Sequence, residues 1–155
     1  MNDLVEGFVF RVRSWLTDAD GNDYDLREDE NLITNVGLRH FADQMGQDTE
    51  THMNRMAVGT GTGQSKTSTT LATEIARVTL ESGWPKRQSS PTDNVTEYKA
   101  VFAAGTGTGS LTEGCIINAA SGGQMLNYWE WNPARIKDST ASLTVIYTIQ
   151  IGSLS

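Results

Sequence analysis

Residues 143–151 place Leu143, Val145, Tyr147, Ile149 and Ile151 at alternate positions, with Thr144, Thr148 and Gln150 between them. A period of two is the mark of a strand with one face on a core. The same alternation recurs along the chain. Phe8, Phe10 and Val12 alternate with Val9, Arg11 and Arg13, which predicts a half-buried strand over 5–16. Val78 and Leu80 alternate with Thr79 and Glu81, and Tyr98, Ala100 and Phe102 with Lys99 and Val101. Met56 and Val58 lead into Gly59, and residues 115–118 and 125–131 are further short apolar segments. Eight or so such strands, joined by Gly-rich turns, predict a mainly β fold: an antiparallel β-sandwich, most simply a jelly roll, with one or two short helices.

One helix is expected over 35–45, with Asn35 as its cap and Gly46 as its stop. Its docking face should carry Val36, Phe41, Ala42 and Met45. A second helical turn is expected over 71–76, capped by Thr69 or Thr70. Asp20-Gly21 predicts a hairpin turn, because glycine supplies the positive φ that a tight reversal needs. The return segment through Tyr24, Leu26 and Glu28-Asp29-Glu30 is acidic enough to predict an exposed edge.

A chain of 155 residues is the size of one domain, 1–155, and should bury roughly 70% of its extended-chain surface. The lone cysteine, Cys115, excludes an internal disulfide and a cysteine zinc site, and its setting before Ile116-Ile117 predicts a small core residue. No apolar run reaches the ~20 residues of a membrane helix. The start, Met1-Asn2-Asp3-Leu4-Val5-Glu6, lacks the plan of a signal peptide, so a soluble protein with no membrane partner is expected. Charge is uneven. Residues 1–50 carry twelve acidic against four basic side chains, net −8, and residues 51–155 seven against eight, net +1. No basic cluster exceeds Lys86-Arg87, which argues against nucleic acid as a partner. The acidic first third serves solubility or meets a basic protein surface.

Several motifs raise chemical questions. Gly59-Thr60-Gly61-Thr62-Gly63 recurs as Gly105-Thr106-Gly107-Thr108-Gly109. The spacing is neither the dinucleotide fingerprint nor a P-loop, so flexible or close-packed connections are expected. Asp18, Asp20 and Asn22 offer oxygen ligands in a short loop, but neither their spacing nor the strand flanks suit an EF-hand, and a hairpin is the better reading. The two histidines, His40 and His52, form no motif with a nucleophile, and the acidic run offers no carboxylate pair across a cleft. A noncatalytic protein without a cofactor is expected. The sequon Asn94-Val95-Thr96 has meaning only in a secreted eukaryotic protein. Trp129-Glu130-Trp131 sets two indoles on one strand face together with Met125, opposite Leu126 and Tyr128. The alternatives for these rings are the core, a subunit interface that would include Trp15, and a sugar-binding platform.

Three segments then carry a resemblance: Asn31-Leu32-Ile33-Thr34-Asn35-Val36-Gly37-Leu38, Met56-Ala57-Val58-Gly59-Thr60-Gly61 and Leu71-Ala72-Thr73-Glu74-Ile75-Ala76-Arg77. With Tyr98-Lys99-Ala100-Val101-Phe102 and the run from Leu111 to Leu126, they resemble small virion proteins of tailed bacteriophages, over about 31–151. The resemblance implies a jelly-roll-like module, used as a capsid cement (decoration) protein or in tail fibres and their attachment regions. It brings no catalytic residues. Residues 1–30 lie outside it, and their hairpin is expected to be this protein's own contact element. The resulting expectation is a homo-oligomer, a trimer in preference to a dimer, on the outer surface of the virion capsid, bridging major capsid subunits. The alternative is a tail-fibre or adsorption protein with a carbohydrate-contacting face. That the chain stops at Ser155, just after the last strand, is expected of a free-standing module.

Overall fold

The computed structural model describes residues 7–154, without the side chain of Glu30. The first residues of the expected strand 5–16, and the N-terminal stretch 1–6 as a whole, lie outside the described residues. Among the described residues there are nine strands: β1 (Val9–Thr17), β2 (Asp23–Ile33), β3 (Arg55–Gly59), β4 (Glu74–Thr79), β5 (Lys86–Arg87), β6 (Val95–Phe102), β7 (Gly109–Ile117), β8 (Asn127–Lys137) and β9 (Ser142–Gln150). A single helix, α1 (Asn35–Gly46), follows β2.

Every strand pairing is antiparallel. One sheet runs β2-β1-β9-β6-β5 and the other β4-β3-β7-β8-β2, so β2 belongs to both. Its first part pairs with β1 from Thr17↔Asp23 to Arg11↔Glu30. Its last three residues pair with β8 from Asn31↔Trp129 to Ile33↔Asn127. The acidic stretch of β2 is therefore a sheet edge, as expected, and its apolar end is the edge strand of the second sheet, with the Ile33 side chain buried in the core.

Alternation fills the space between the sheets. One sheet contributes Val12, Leu16, Ala100, Phe102, Leu143, Val145, Tyr147 and Ile149, and the other Met56, Val58, Leu111, Ile116, Trp129 and Trp131. The predicted face of β9 is thus the core face, except that Ile151 lies past the strand and is 54% exposed. A smaller cluster of Ala57, Leu71, Cys115, Ile117 and Met125 sits apart from it, with Tyr128 packed against it. Burial raises the Cys115 thiol far above the ordinary range, as befits an inert core side chain.

Three local expectations change. Residues 71–76 form no helical turn: Leu71 anchors the β3–β4 connection and the chain enters β4 at Glu74, in register with β3 through Val58↔Ala76 and Ala57↔Arg77. Sheet pairing overrides the helical propensity of the segment. The cap of α1 is Thr34, whose hydroxyl accepts from the Gly37 amide at 2.9 Å and donates to the Met125 carbonyl at 2.7 Å. Gly37 lies so close to the Leu126 backbone that a side chain there would overlap it. The buried residues of α1 are therefore Gly37 and His40, while Leu38 and Met45 are 55% and 81% exposed. Finally, Leu126 lies in the main core and Met125 in the smaller cluster. The strand parity of 125–131 starts only at Asn127, whose side-chain oxygen accepts the Ile116 amide inside the ladder.

Trp129 is fully buried, edge-on to Trp131 at 5.8 Å and 72°, with Gly114 leaving room for its ring. Trp129→Ala is expected to cost about 3–5 kcal/mol of folding stability, read as a shift of the denaturant midpoint. An unchanged midpoint would place the ring outside the core.

Candidate interaction surface

The glycine-rich motifs solve two different problems with one sequence. In the first copy, the Gly61 amide and the Thr73 amide both donate to Glu113 Oε1, at 3.0 and 2.7 Å. The Ala72 amide and the Gln64 side chain donate to Glu113 Oε2, at 3.0 and 2.8 Å. Gly59 and Gly61 must lack a Cβ because Thr73 and the Glu113 carboxylate occupy that space. The anion cradled by this loop is thus the chain's own carboxylate, which pins the β3–β4 connection to β7. In the second copy Gly105, Gly107 and Gly109 take φ of +81°, +65° and +143°, as the reversal from β6 to β7 requires. The first connection is close-packed at Gly59 and Gly61 and turns at Gly63 with φ +82°, and the second relies on positive φ throughout, with Gly107 also packed against Val58 and Ala76.

Other polar side chains are engaged in the same internal way. His40 Nδ1 lies 2.7 Å from Glu50 Oε2, and Gln124 donates to the other Glu50 oxygen at 3.1 Å. Asp18 Oδ1 accepts the Asp20 and Asn22 amides at 2.9 Å each, and Asn22 Nδ2 donates to Asp18 Oδ2. The loop considered for calcium is therefore a hairpin turn closed by its own carboxylate, with Gly21 at φ +85°. Among the described residues no three His, Cys, Asp or Glu side chains are grouped to hold a metal ion. The Asn94 side-chain Nδ2 donates to the carbonyls of Ile151 and Gly152.

The three tryptophans considered for an interface separate. Trp129 and Trp131 are 0% and 2% exposed, which removes their rings from the reach of a protein partner or a sugar. Their face of β8 continues through Arg135 and Lys137, both buried. Arg135 donates to Ser14 Oγ at 2.9 Å and to the Asp25 carbonyl at 2.8 Å, and its guanidinium stacks on Trp131 at 5.5 Å. Lys137 Nζ donates to the Ala103 carbonyl at 3.0 Å. Burial lowers the pKa of both cations; Asp25 opposes this at Arg135 and Asp138 at Lys137. Nearby Asp29 is raised by burial against the pull of Arg135 and Arg27.

Trp15 has the opposite setting. It stands on the outer face of β1, half-buried, with the Arg13 guanidinium 5.6 Å from its ring. The β1–β2 ladder bulges opposite it, between Ser14 and Leu16. The bulge brings Tyr24 and Leu26, 41% and 69% exposed, to a depression shared with Arg13, Trp15 and Asp23. A second apolar exposure lies at the other end of the same two strands. Phe8 is 48% exposed and stacks on Phe10 and Phe41, with ring centroids 5.7 and 5.8 Å away. The exposed side chains of Leu38 and Met45 continue this wall on α1. The sequence offered Trp15 for the first of these surfaces. It concealed the second, because Met45 was assigned to the docking face of the helix.

No protein-family model, curated protein or solved structure matches the chain.

Glu113→Ala leaves three backbone amides without their acceptor, and is expected to destabilise the fold by about 3 kcal/mol or more. The amides of Gly61, Ala72 and Thr73 should lose hydrogen-exchange protection first. Unchanged protection at these three would show that the carboxylate does not hold the loop.

The acid limb of stability has a defined sign. Asp43 is held below the ordinary aspartate value of 3.8 mainly by the Thr49 hydroxyl and the Glu50 amide. Asp18 is lowered mainly by the Asn22 amide, and Asp138 by the Thr140 hydroxyl. A depressed folded pKa contributes stability that is complete above 3.8 and is lost as pH falls through the folded value. Asp29, raised in the fold, works in the opposite sense. Asp43→Asn should therefore lower the melting temperature at neutral pH and narrow its difference from wild type below pH 3.8. A difference independent of pH would contradict the assignment.

Proposed function

We propose that this protein is a noncatalytic decoration (cement) protein of a tailed-phage capsid, bound to the outer surface and bridging major capsid subunits. The observation that carries the reading is the outer face of the β1–β2 hairpin. Trp15, Tyr24 and Leu26 stand together there, within the segment that lies outside the virion-protein resemblance. A tryptophan with flanking apolar groups and an arginine is the composition of a protein–protein anchor. The scaffold behind it supports the same role: Glu113, Glu50, Asp43 and Asp18 are tied into internal hydrogen bonds that hold loops and turns.

The nesting of strand pairs (β1 with β9, β2 with β8, β3 with β7) supports a jelly-roll variant, a folded-over ribbon in which neighbouring hairpin strands also pair. Such a module acts by multiplicity. Modest contacts repeated by symmetry, in a homo-oligomer for which a trimer is the favoured form, resist internal pressure through avidity. A tail-fibre or adsorption protein with a sugar-contacting face is the other reading, and the half-buried Trp15 beside the exposed Tyr24 is the observation that supports it.

Purified particles separate the two. A decoration protein should be present in a copy number close to that of the major capsid protein, with immunogold label spread over the head. Trp15→Ala should weaken capsid binding by about 2 kcal/mol while leaving the melting temperature of the free protein nearly unchanged. A few copies confined to the tail, or binding to a glycan array that Trp15→Ala abolishes, would overturn the capsid assignment.

A further inference from the structure

We propose that residues 60–73 form a lid that opens as one unit while both sheets stay folded, with Glu113 as its latch. The alternation of β3 and β7 sets up what lies beneath. Met56, Val58 and Ile116 face the main core, so Ala57, Cys115 and Ile117 lie on the opposite, outer face of the second sheet, with Ala57 directly across from Cys115. An apolar outer face needs a cover, and the β3–β4 connection is part of it. Leu71, 6% exposed, is the one side chain of 60–73 that joins this cluster.

The connection is built to move as a piece. Its ends meet: the Thr60 amide donates to the Thr73 carbonyl at 3.0 Å, and Gly59 pairs with Glu74 just outside. A loop with joined ends is an Ω-loop, which can lift without disturbing the ladder it leaves. No residue of 60–73 is in a strand, so its hold on the body comes from separate bonds, concentrated at one carboxylate. Glu113 accepts from the amides of Gly61, Ala72 and Thr73 and from the Gln64 side chain, whereas Glu130, Thr112, Tyr128 and Asn35 contribute one bond each.

A force toward the open state is present as well. Glu113 and Glu130 are direct cross-strand partners, and neither is in an ion pair among the described residues. Like charges at facing positions repel. In the closed state the N–H groups of the lid compensate them, and opening returns both carboxylates to water, whose high dielectric weakens the repulsion. Exposure of the apolar face opposes this gain. The device belongs to the chain itself and does not rest on the capsid reading.

Cys115 is the chain's single cysteine, is 0% exposed and packs with Leu71 of the lid, so a thiol reagent reads the opening directly. In the full chain under native conditions, Cys115 should react with dithiobis(nitrobenzoate) faster than global unfolding allows. The rate should be nearly independent of urea well below the unfolding transition, because a local opening exposes little surface. Hydrogen exchange should give the amides of Gly61, Gly63, Ala72 and Thr73 one common opening free energy, below that of the β3 and β7 ladders. Glu113→Gln should raise the urea-independent labelling rate about tenfold or more. If that variant does not fold, the two wild-type measurements decide. Labelling only through global unfolding, or lid amides that open one by one, would overturn the proposal. So would a labelling rate that Glu113→Gln leaves unchanged, since Glu113 would then be no latch.

Discussion

Strand β2 has to satisfy two ladders along one length of chain, and much of the architecture depends on how it does so. Up to Glu30 it lies beside β1 in one sheet, and from Asn31 it lies beside β8 in the other. The change of partner joins the two sheets and places Ile33 in the core. It also delivers Thr34 to the Met125 and Leu126 carbonyls, where it caps α1. The same change leaves the start of β1 unpaired on one side. An open edge beside stacked phenylalanines is therefore a direct consequence of a strand serving both sheets.

Charge inside the protein follows a related logic. A buried polar group is tolerable only when its hydrogen bonds are made. Glu113 collects donors from a loop that no strand pairing could organise, and Arg135 gathers Ser14 and Asp25 at the hairpin end of the sandwich. Both act as ties between segments distant in sequence. The glycines at 59 and 61 are the complement of this arrangement, since they let backbone and carboxylate come close together. Some large aromatic and aliphatic side chains nevertheless remain exposed. Trp15, Tyr24 and Leu26 stand at one end of the β1–β2 pair and Phe8, Leu38 and Met45 at the other.

Legibility in the sequence varied with the range of the interaction concerned. The hairpin at Asp20-Gly21 and the core face of β9 were readable because a turn and a period of two are local. The buried cations were readable in principle: the parity that sets Trp129 and Trp131 inward also reaches Arg135 and Lys137, but basic residues argue against burial until their acceptors are known. The role of Glu113 was not readable. It follows the second glycine motif in sequence and serves the first, and nothing local connects them. The helix was located correctly and Phe41 packs on the core as expected, but Thr34 rather than Asn35 caps it, and His40 is buried while Ala42 and Met45 face outward.

Composition and periodicity thus established a mainly β chain with one real helix, a cysteine without a disulfide and an acidic first hairpin, all properties of residues read a few at a time. Which tryptophan faces outward, which strand leaves its sheet and which apolar side chains remain uncovered were decided in three dimensions. Each depends on partners far along the chain: Trp129 on Gly114, β2 on β8, and α1 on residues 125–126. Alternation specifies that a strand has two faces, but only packing against a second layer determines which of them meets water.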